Sequence, residues 1–158
     1  MKVLPGQKYH YKESGLDNVY LYNIELAVCE GCGGVEPIIP RMKLLHETIS
    51  RAIALQPYPL RGADIRFLRK QHRFKAREWA SLLRVDVSTL SRWENDAQVI
   101  GPQADALIRY VYFRLVQQEG QELAGPIAEE IAAATHTRRA SSVVLVDAGN
   151  PSIYSYDC

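Results

Sequence analysis

Two cysteines with metal-ligand spacing stand out in the first third of the sequence. Cys29 and Cys32 lie in the segment Cys-Glu-Gly-Cys-Gly-Gly, and such a pair can bind a metal, act as a redox dithiol, or only close a tight turn. A structural zinc takes four ligands, so two more would have to come from His10, His46, Cys158 or a second subunit. No strand–helix–strand pattern supports a thioredoxin-like fold. The three interpretations therefore stay open.

A run of polar residues in the middle of the chain has a different chemistry. In the segment from Val85 to Asn95, VDVSTLSRWEN, Leu90 and Trp93 have the spacing of helical core positions. An arginine can donate two parallel hydrogen bonds to a guanine edge, and a serine at the start of a helix can contact a base or the backbone. The residues that point away from the core are Val87, Ser88, Ser91, Arg92 and Asn95. This face has the residue types of a surface that reads double-stranded DNA.

The charge is distributed unevenly along the chain, in a way that fits such a surface. The 158 residues carry 19 basic and 18 acidic side chains, a net charge of +1. Residues 61–100 hold nine basic and five acidic residues, whereas residues 101–158 hold four and seven. A local basic block attracts a phosphate backbone even when the whole chain is nearly neutral.

Four short amphipathic helices are predicted to position this face. Apolar residues recur at helical spacing in residues 63–72, 76–83, 88–95 and 103–117, and four such helices can share one small core. Ala80 is the small residue expected where two of them cross. The apolar residues expected to fix the crossing angle are Trp79, Leu83, Val85, Leu90 and Trp93.

The last of these helices is also where two copies of the chain are expected to associate. Its expected core stripe is Leu107, Ile108, Val111 and Leu115. Beyond that stripe lie three aromatic residues, Tyr110, Tyr112 and Phe113, which are the predicted homodimer interface. One short helix reads only a few base pairs, so two copies would supply the specificity of a full operator.

The N-terminal part has the pattern of a small α+β domain. Residues 9–28 predict one or two strands, with Tyr20, Tyr22, Ile24, Leu26 and Val28 at a spacing of two, and residues 35–39 predict another. Residues 41–55 predict an amphipathic helix, which the prolines after it end. We therefore expect an α+β domain over residues 1–58 and an all-α helix-turn-helix domain over residues 59–119.

Residues 120–158 form a tail whose structure the sequence leaves uncertain. Within it, residues 126–134 have the composition of a short helix, residues 135–142 that of a polar linker, and residues 143–146 that of an edge strand. Two histidines, His72 and His136, lie in polar surroundings and are expected to be solvated.

Three segments between residues 62 and 116 carry a family resemblance. They are Ile65-Arg-Phe-Leu-Arg69, Ala76-Arg-Glu-Trp-Ala80 and Val85-Asp-Val-Ser-Thr-Leu-Ser-Arg-Trp-Glu-Asn95. This region resembles the Cro/C1-type (XRE) helix-turn-helix family of DNA-binding regulators. The resemblance implies an ion pair between Arg69 and Glu94, and DNA contacts by Lys75, Arg77, Val87, Ser88, Thr89, Ser91, Arg92 and Asn95.

The region departs from that family at two positions. The glutamine that opens the second helix and binds phosphate in relatives is Ala76 here, which shifts the expected backbone contact to Lys75 or Arg77. The usual turn glycine is Arg84. Either Arg84 takes a strained left-handed conformation, or the turn differs.

The N-terminal residues are similar to the zinc-bearing domain of MqsA-like antitoxins, which join it to the same kind of helix-turn-helix. The similarity covers residues 9–20 and continues through Cys29 and Cys32 into the following helix. In those proteins two Cys-x-x-Cys pairs hold one structural zinc, whereas this chain has one pair. The resemblance implies zinc at Cys29 and Cys32 and a small toxin protein as a partner.

The sequence as a whole predicts a sequence-specific transcriptional repressor that is not an enzyme, because it has no nucleotide-binding, hydrolase or zinc-protease motif. By resemblance, it would be an antitoxin that represses its own operon. The alternative is a protein-interaction module, or a phage-type or stand-alone regulator, whose N-terminal domain and tail bind a protein. The segment MKVLPGQKYHYKES has no apolar leader and no stretch of about 18 apolar residues exists. We therefore expect a cytoplasmic protein with reduced cysteines and no membrane contact.

Overall fold

The computed structural model describes residues 1–119, 143–149 and 154–157. It divides into two compact units, Met1–Ala52 with Val143–Cys158 and Ile53–Ser142. Strands dominate the first unit and helices the second, so the expected α+β unit followed by a helical unit is confirmed. The expected helix over residues 126–134, the linker over 135–142 and His136 lie outside the described residues. No described helix is long and apolar enough to cross a membrane.

A mixed sheet of five strands forms the first unit. The strands are β1 (Lys2–His10), β2 (Val19–Val28), β3 (Val35–Ile38), β4 (Val144–Asp147) and β5 (Ser155–Asp157). One edge of β2 pairs antiparallel with β1. The other edge is shared, because β4 pairs in parallel with the first half of β2 and β3 pairs antiparallel with the second half. β4 also pairs with β5, so the expectation that residues 143–146 form an edge strand is wrong.

A bulge in β2 changes which of its side chains are buried. Asn23 has a positive φ of 56°, and the pairing there advances three residues on β2 for two on β1. The buried positions change phase accordingly, from Val19 and Leu21 before the bulge to Ile24 and Leu26 after it. The prediction that the even-numbered residues from Tyr20 to Val28 share one face is therefore wrong for the part of β2 before the bulge.

Helix α1 (Met42–Leu55) supplies the helical part of the first unit. Its buried residues in that unit include Leu45 and Ile49, which recur at helical spacing as the sequence predicted. Tyr11, which follows β1, is buried and its hydroxyl lies 2.8 Å from Nε2 of His46. The chain passes into the second unit between Ala52 and Ile53, within this helix.

Four further helices form the second unit, and each begins and ends within one residue of its predicted bounds. They are α2 (Gly62–Gln71), α3 (Ala76–Leu82), α4 (Val87–Glu94) and α5 (Pro102–Gln118). Ala80 is almost completely buried, as expected for a residue where helices cross. The apolar side chains of their shared core that have almost no exposed surface include Ile65, Leu68, Trp79, Leu90 and Ile108.

Helices α2, α3 and α4 all end in the same backbone motif without a glycine. The residues in the left-handed position are Arg73, Arg84 and Asp96, with φ between 54° and 58°. After α3, the N–H of Arg84 donates to the carbonyl of Ser81 and that of Val85 to the carbonyl of Ala80. This pair of bonds is the Schellman motif, which usually has glycine at the left-handed residue. Arg84 therefore adopts the strained left-handed conformation, which is the first of the two alternatives given above for this turn.

A buried ion pair sets the rotation of α5. Arg109 has no exposed surface, and its Nε lies 2.6 Å from Oδ1 of Asp105. The same guanidinium donates to the carbonyl oxygens of Ala54 and Gln56, at 2.9 and 2.8 Å. The side of α5 that holds this pair faces the core, so the predicted stripe is wrong at Leu107, which is exposed.

This rotation also changes the predicted homodimer interface. Tyr112 and Phe113 are buried, each with 3% of its surface exposed, so they are core residues and cannot form the interface. Their rings contact each other edge to face, with centroids 5.0 Å apart. Tyr110 alone of the three aromatic residues is exposed.

The expectation that His72 is solvated is wrong. Its side chain is only 4% exposed, with Nδ1 3.2 Å from a carboxylate oxygen of Glu119. Its ring meets the edge of Tyr112 at a centroid distance of 5.3 Å. The neighbouring polar residues in the sequence gave no sign of this, because burial here depends on α5.

Candidate nucleic-acid interface

Helix α4 has one buried side and one polar side. Leu90 is completely buried, and Trp93 and Glu94 are 7% exposed. The N–H groups of Thr89 and Leu90 donate to the carbonyl of Asp86, so the helix begins directly after Asp86. The expected DNA contacts of this helix that are exposed are Val87, Ser88, Ser91, Arg92 and Asn95, and Thr89 is half-buried.

Glu94 anchors α4 to α2 through Arg69, the residue with which the family resemblance pairs it. The guanidinium donates two hydrogen bonds, from Nε to Oε1 at 2.7 Å and from Nη2 to Oε2 at 2.8 Å. Nη1 of Arg69 donates to the carbonyl of Phe74 at 3.0 Å, so the same side chain also fixes the α2–α3 connection. The hydrogen bonds to Glu94 raise the pKa of Arg69 above its ordinary value. The guanidinium therefore stays charged and holds the helix in a fixed geometry.

A second arginine binds the end of α4. Nη2 of Arg66 lies 2.9 Å from the carbonyl oxygen of Glu94 and 2.7 Å from Oδ1 of Asn95. The amide nitrogen of Asn95 donates to the carbonyl of Ser91 at 2.8 Å. Both ends of the Asn95 amide thus have partners within the chain, which fixes the side chain against α4.

Arg92 has more freedom than Asn95. Its Nη2 donates to the hydroxyl of Thr89 at 3.1 Å, and the rest of its guanidinium is exposed to solvent. A single bond to a neighbouring hydroxyl is easily exchanged for other acceptors. Arg92 can therefore reach a ligand without breaking an ion pair.

Most of the exposed basic side chains of this unit that have no acidic partner among the described residues belong to the stretch of chain from α2 to α4. Seven of its exposed basic side chains have no acidic partner among the described residues. Arg114, on α5, is one of them. The other six are Lys70, Arg73, Lys75, Arg77, Arg84 and Arg92, on α2, α3, α4 and their connections.

Lys75 and Arg77, the two expected phosphate contacts, lie at the start of α3. Lys75 directly precedes the helix, and its N–H donates to Oε2 of Glu78 at 2.7 Å, which caps the first turn. The side chains of Lys75 and Arg77 are both exposed. Glu78 is therefore occupied in capping the backbone and leaves these two cations unpaired.

The β2–β3 turn brings Cys29 and Cys32 together. The N–H of Cys29 donates to the carbonyl of Gly34 at 2.9 Å, and that of Gly33, whose φ is 72°, donates to the carbonyl of Cys29 at 2.8 Å. Hydrogen bonding from the backbone and the side chain of Cys32, and from the backbone of Gly31, lowers the pKa of the Cys29 thiol. Both cysteines are exposed.

The described residues give this pair no further metal ligand. Nowhere in residues 1–119, 143–149 and 154–157 do three or more His, Cys, Asp or Glu side chains form a group that could hold a metal ion. Of the expected ligands, His10 has Nε2 2.8 Å from the carbonyl of Asp17, and His46 is bonded to Tyr11. Cys158 lies outside the described residues. The described side chains thus supply two of the four ligands that a structural zinc needs.

Three residues that position α4 were not predicted from the sequence. Besides Arg66, they are Gly62, which opens α2, and Asp96, which follows α4; the N–H of Gly62 donates to Oδ1 of Asp96 at 2.9 Å. The signal for Arg66 was available, because it lies three residues before Arg69 and hence on the same side of α2. The helical unit thus presents a polar helix face held by bonds from α2, together with exposed cations that have no acidic partner within the described part of the chain. Comparison of the chain with protein-family models, curated proteins and solved structures finds no match.

Proposed function

We propose that the helical unit is a helix-turn-helix domain that binds double-stranded DNA, and that the chain is a sequence-specific transcriptional repressor. The observation that carries this proposal is the division of α4 into two sides. Its inner side is fixed by Trp93 and by the bonds from Arg69 to Glu94. Its outer side carries small polar residues and one long arginine, which is the composition of a helix that enters the major groove.

The unpaired cations supply affinity for any DNA sequence. Lys75 and Arg77 at the start of α3 are the proposed phosphate contacts, and Arg84 in the following turn adds charge. Each phosphate contact releases counterions, so binding weakens as salt rises. We expect replacement of each of these three residues by alanine to reduce the slope of log affinity against log salt concentration by about one.

The exposed residues of α4 supply the sequence preference. Arg92 leaves Thr89 to donate two hydrogen bonds to a guanine, and Ser88 and Ser91 contact bases or backbone from the same face. Val87 is exposed at the start of the helix and offers an apolar contact to a thymine methyl group. Asn95 acts by holding Ser91 in place, since its amide is already bonded within the chain.

The test is a selection from random double-stranded oligonucleotides followed by binding titrations of the selected and of an unrelated duplex. Arg92→Ala is expected to weaken binding to the selected duplex by about 1–3 kcal/mol and to leave the unrelated duplex nearly unchanged. Lys43→Ala is the control, because it removes an exposed basic side chain that lies outside the helical unit. Equal losses on both duplexes would contradict base reading by Arg92, and failure to enrich any sequence would contradict the function itself.

The repressor is proposed to act as a homodimer, because two half-sites give the specificity that one short helix lacks. Tyr110, exposed on α5, is the residue of the expected interface that remains available. Tyr110→Asp should shift the chain toward monomers in light scattering and weaken operator binding. A parent chain that is monomeric at micromolar concentration, with and without DNA, would contradict the dimer.

The antitoxin role is a narrower proposal that rests on the similarity to MqsA-like antitoxins described above. In it, the first unit holds a small toxin protein and the helical unit represses the shared operon. A neighbouring reading frame that arrests growth alone, and is neutralised by this chain, would support the role. A stand-alone or phage-type regulator would instead bind its operator without any such neighbour.

A further inference from the structure

The β2–β3 turn carries a pair of thiols that the proposed DNA-binding function does not use. Cys29 and Cys32 are both exposed, and they lie three residues apart in a turn that backbone hydrogen bonds close. We propose that this pair is a thiol–disulfide exchange site that reacts with small disulfides, such as glutathione disulfide, and closes to a Cys29–Cys32 disulfide. The proposal concerns the first unit and is independent of DNA binding.

The turn holds the two cysteines close together. Its backbone is closed on both sides of Cys29, by the bond from Cys29 to Gly34 and the bond from Gly33 to Cys29. The sulfur of Cys32 lies over Gly34, where a Cβ would be 3.3 Å away. Because the two cysteines are three residues apart within this closed turn, we expect a disulfide to form by side-chain rotation, without movement of the strands.

The exchange proceeds in two steps. The thiolate of Cys29 attacks one sulfur of glutathione disulfide, which forms a mixed disulfide on Cys29 and releases one glutathione thiolate. The sulfur of Cys32 then loses its proton to solvent and attacks the sulfur of Cys29, which releases the second glutathione. The chain loses two hydrogens and one glutathione disulfide becomes two glutathione thiols, so atoms and electrons balance.

Exposure and the lack of a third ligand favour exchange over metal binding. Within the part of the chain that the structure describes, no third His, Cys, Asp or Glu completes a metal site at this turn. A closed zinc site shields its thiolates, whereas here an incoming disulfide can reach both sulfurs.

The experiment uses the full chain with Cys158→Ser, so that only the two turn cysteines remain. After incubation with glutathione disulfide, we expect both thiols to be lost together and the intact mass to fall by two hydrogens. Cys29→Ser and Cys32→Ser in the same background should each end as a stable glutathione adduct instead. An adduct on the two-cysteine chain, or thiols that stay reduced, would overturn the proposal.

Two glycine variants test the geometry. Gly34→Ala places a methyl group 3.3 Å from the sulfur of Cys32 and should slow ring closure severalfold, so that the mixed disulfide accumulates. Gly31→Ala is the matched control, since its methyl group lies 3.9 Å from the sulfur of Cys29, an ordinary contact. Equal closure rates in the two variants would contradict the proposed arrangement.

Zinc bound at one ion per two chains, with both thiols protected from glutathione disulfide, would overturn the exchange site in favour of a shared metal site.

Discussion

The backbone of Gly62 packs directly against the backbone of Trp93, with no room for a side chain between them. A Cβ on Gly62 would lie 2.5 Å from the carbonyl oxygen of Trp93 and 2.7 Å from that of Glu94. The N–H of Gly62 is bonded to Asp96 at the same place. The first turn of α2 thus sets where α4 ends, and with it the position of the face proposed to contact DNA.

Gly62→Ala is therefore expected to displace α4. The added methyl group overlaps backbone atoms that cannot rotate away, so we expect a loss of about 1–3 kcal/mol in the free energy of unfolding. Denaturant titration measures this loss. Gly101→Ala is the control: its Cβ would meet nothing closer than 3.9 Å, and the change from glycine at that helix start should cost less than about 1 kcal/mol. A Gly62→Ala variant as stable as the control would contradict the close approach.

Arg84→Gly is expected to raise stability and lower DNA affinity at once. The left-handed conformation of Arg84, with φ of 56°, costs about 1 kcal/mol that glycine avoids. The same change removes one of the unpaired cations. Arg84→Ala separates the two effects, because it removes the charge and keeps the strain. Thermal unfolding and salt-dependent DNA titration measure them, and equal stability of the glycine and alanine variants would contradict the strain.

Arg109→Met is expected to cost about 3–5 kcal/mol in the free energy of unfolding, because it leaves the buried Asp105 without its counter-charge. Combining it with Asp105→Asn should recover part of the loss, since the amide oxygen still accepts the N–H of Leu60. Arg114→Met, at an exposed site of the same helix, should change stability by about 0.5 kcal/mol or less. If the single Arg109 variant matched this control, the buried pair would have no role in stability.

His46 should make the first unit less stable in mild acid. Burial lowers the pKa of His46 below its ordinary value of 6.5, so the unfolded chain takes up this proton at higher pH than the folded chain. The stabilising contribution is present above about pH 6.5 and is lost as pH falls toward the folded pKa. His46→Gln should weaken this dependence in denaturant titrations across that range, whereas Tyr11→Phe, which keeps the burial, should retain most of it. An unchanged pH profile in His46→Gln would contradict the assignment.

The helices of the second unit were predictable because their signals are local. The period of apolar residues gave the bounds of α2 to α5 within one residue, and the spacing of Leu90 and Trp93 gave the buried side of α4. The Arg69–Glu94 contact could be expected only through the family resemblance. Its two hydrogen bonds join residues 25 positions apart, a distance that no helical period reports.

The features that the sequence analysis missed depend on distant partners or on broken periods. β1 was not predicted because Pro5 and Gly6 interrupt it and most of its residues are exposed, so it lacks the alternation of a half-buried strand. The rotation of α5 was missed because an apolar-only criterion puts arginine outside, whereas Arg109 is buried against carbonyl groups of an earlier segment. The phase of β2 was missed because the left-handed residue that causes the bulge is an asparagine with no distinguishing neighbours.

The parallel pairing of β4 with β2 dictates an order of events during synthesis. Val19 pairs with Val144, and the whole second unit, Ile53–Ser142, lies between them in the sequence. A ribosome therefore delivers the residues of the helical unit before the strand that completes the sheet. N-terminal domains usually fold first during synthesis, but here the sheet of the first unit is complete only after the helical unit has been made. Until β4 emerges, the first half of β2 has one open edge, to which we expect another nascent chain to be able to pair.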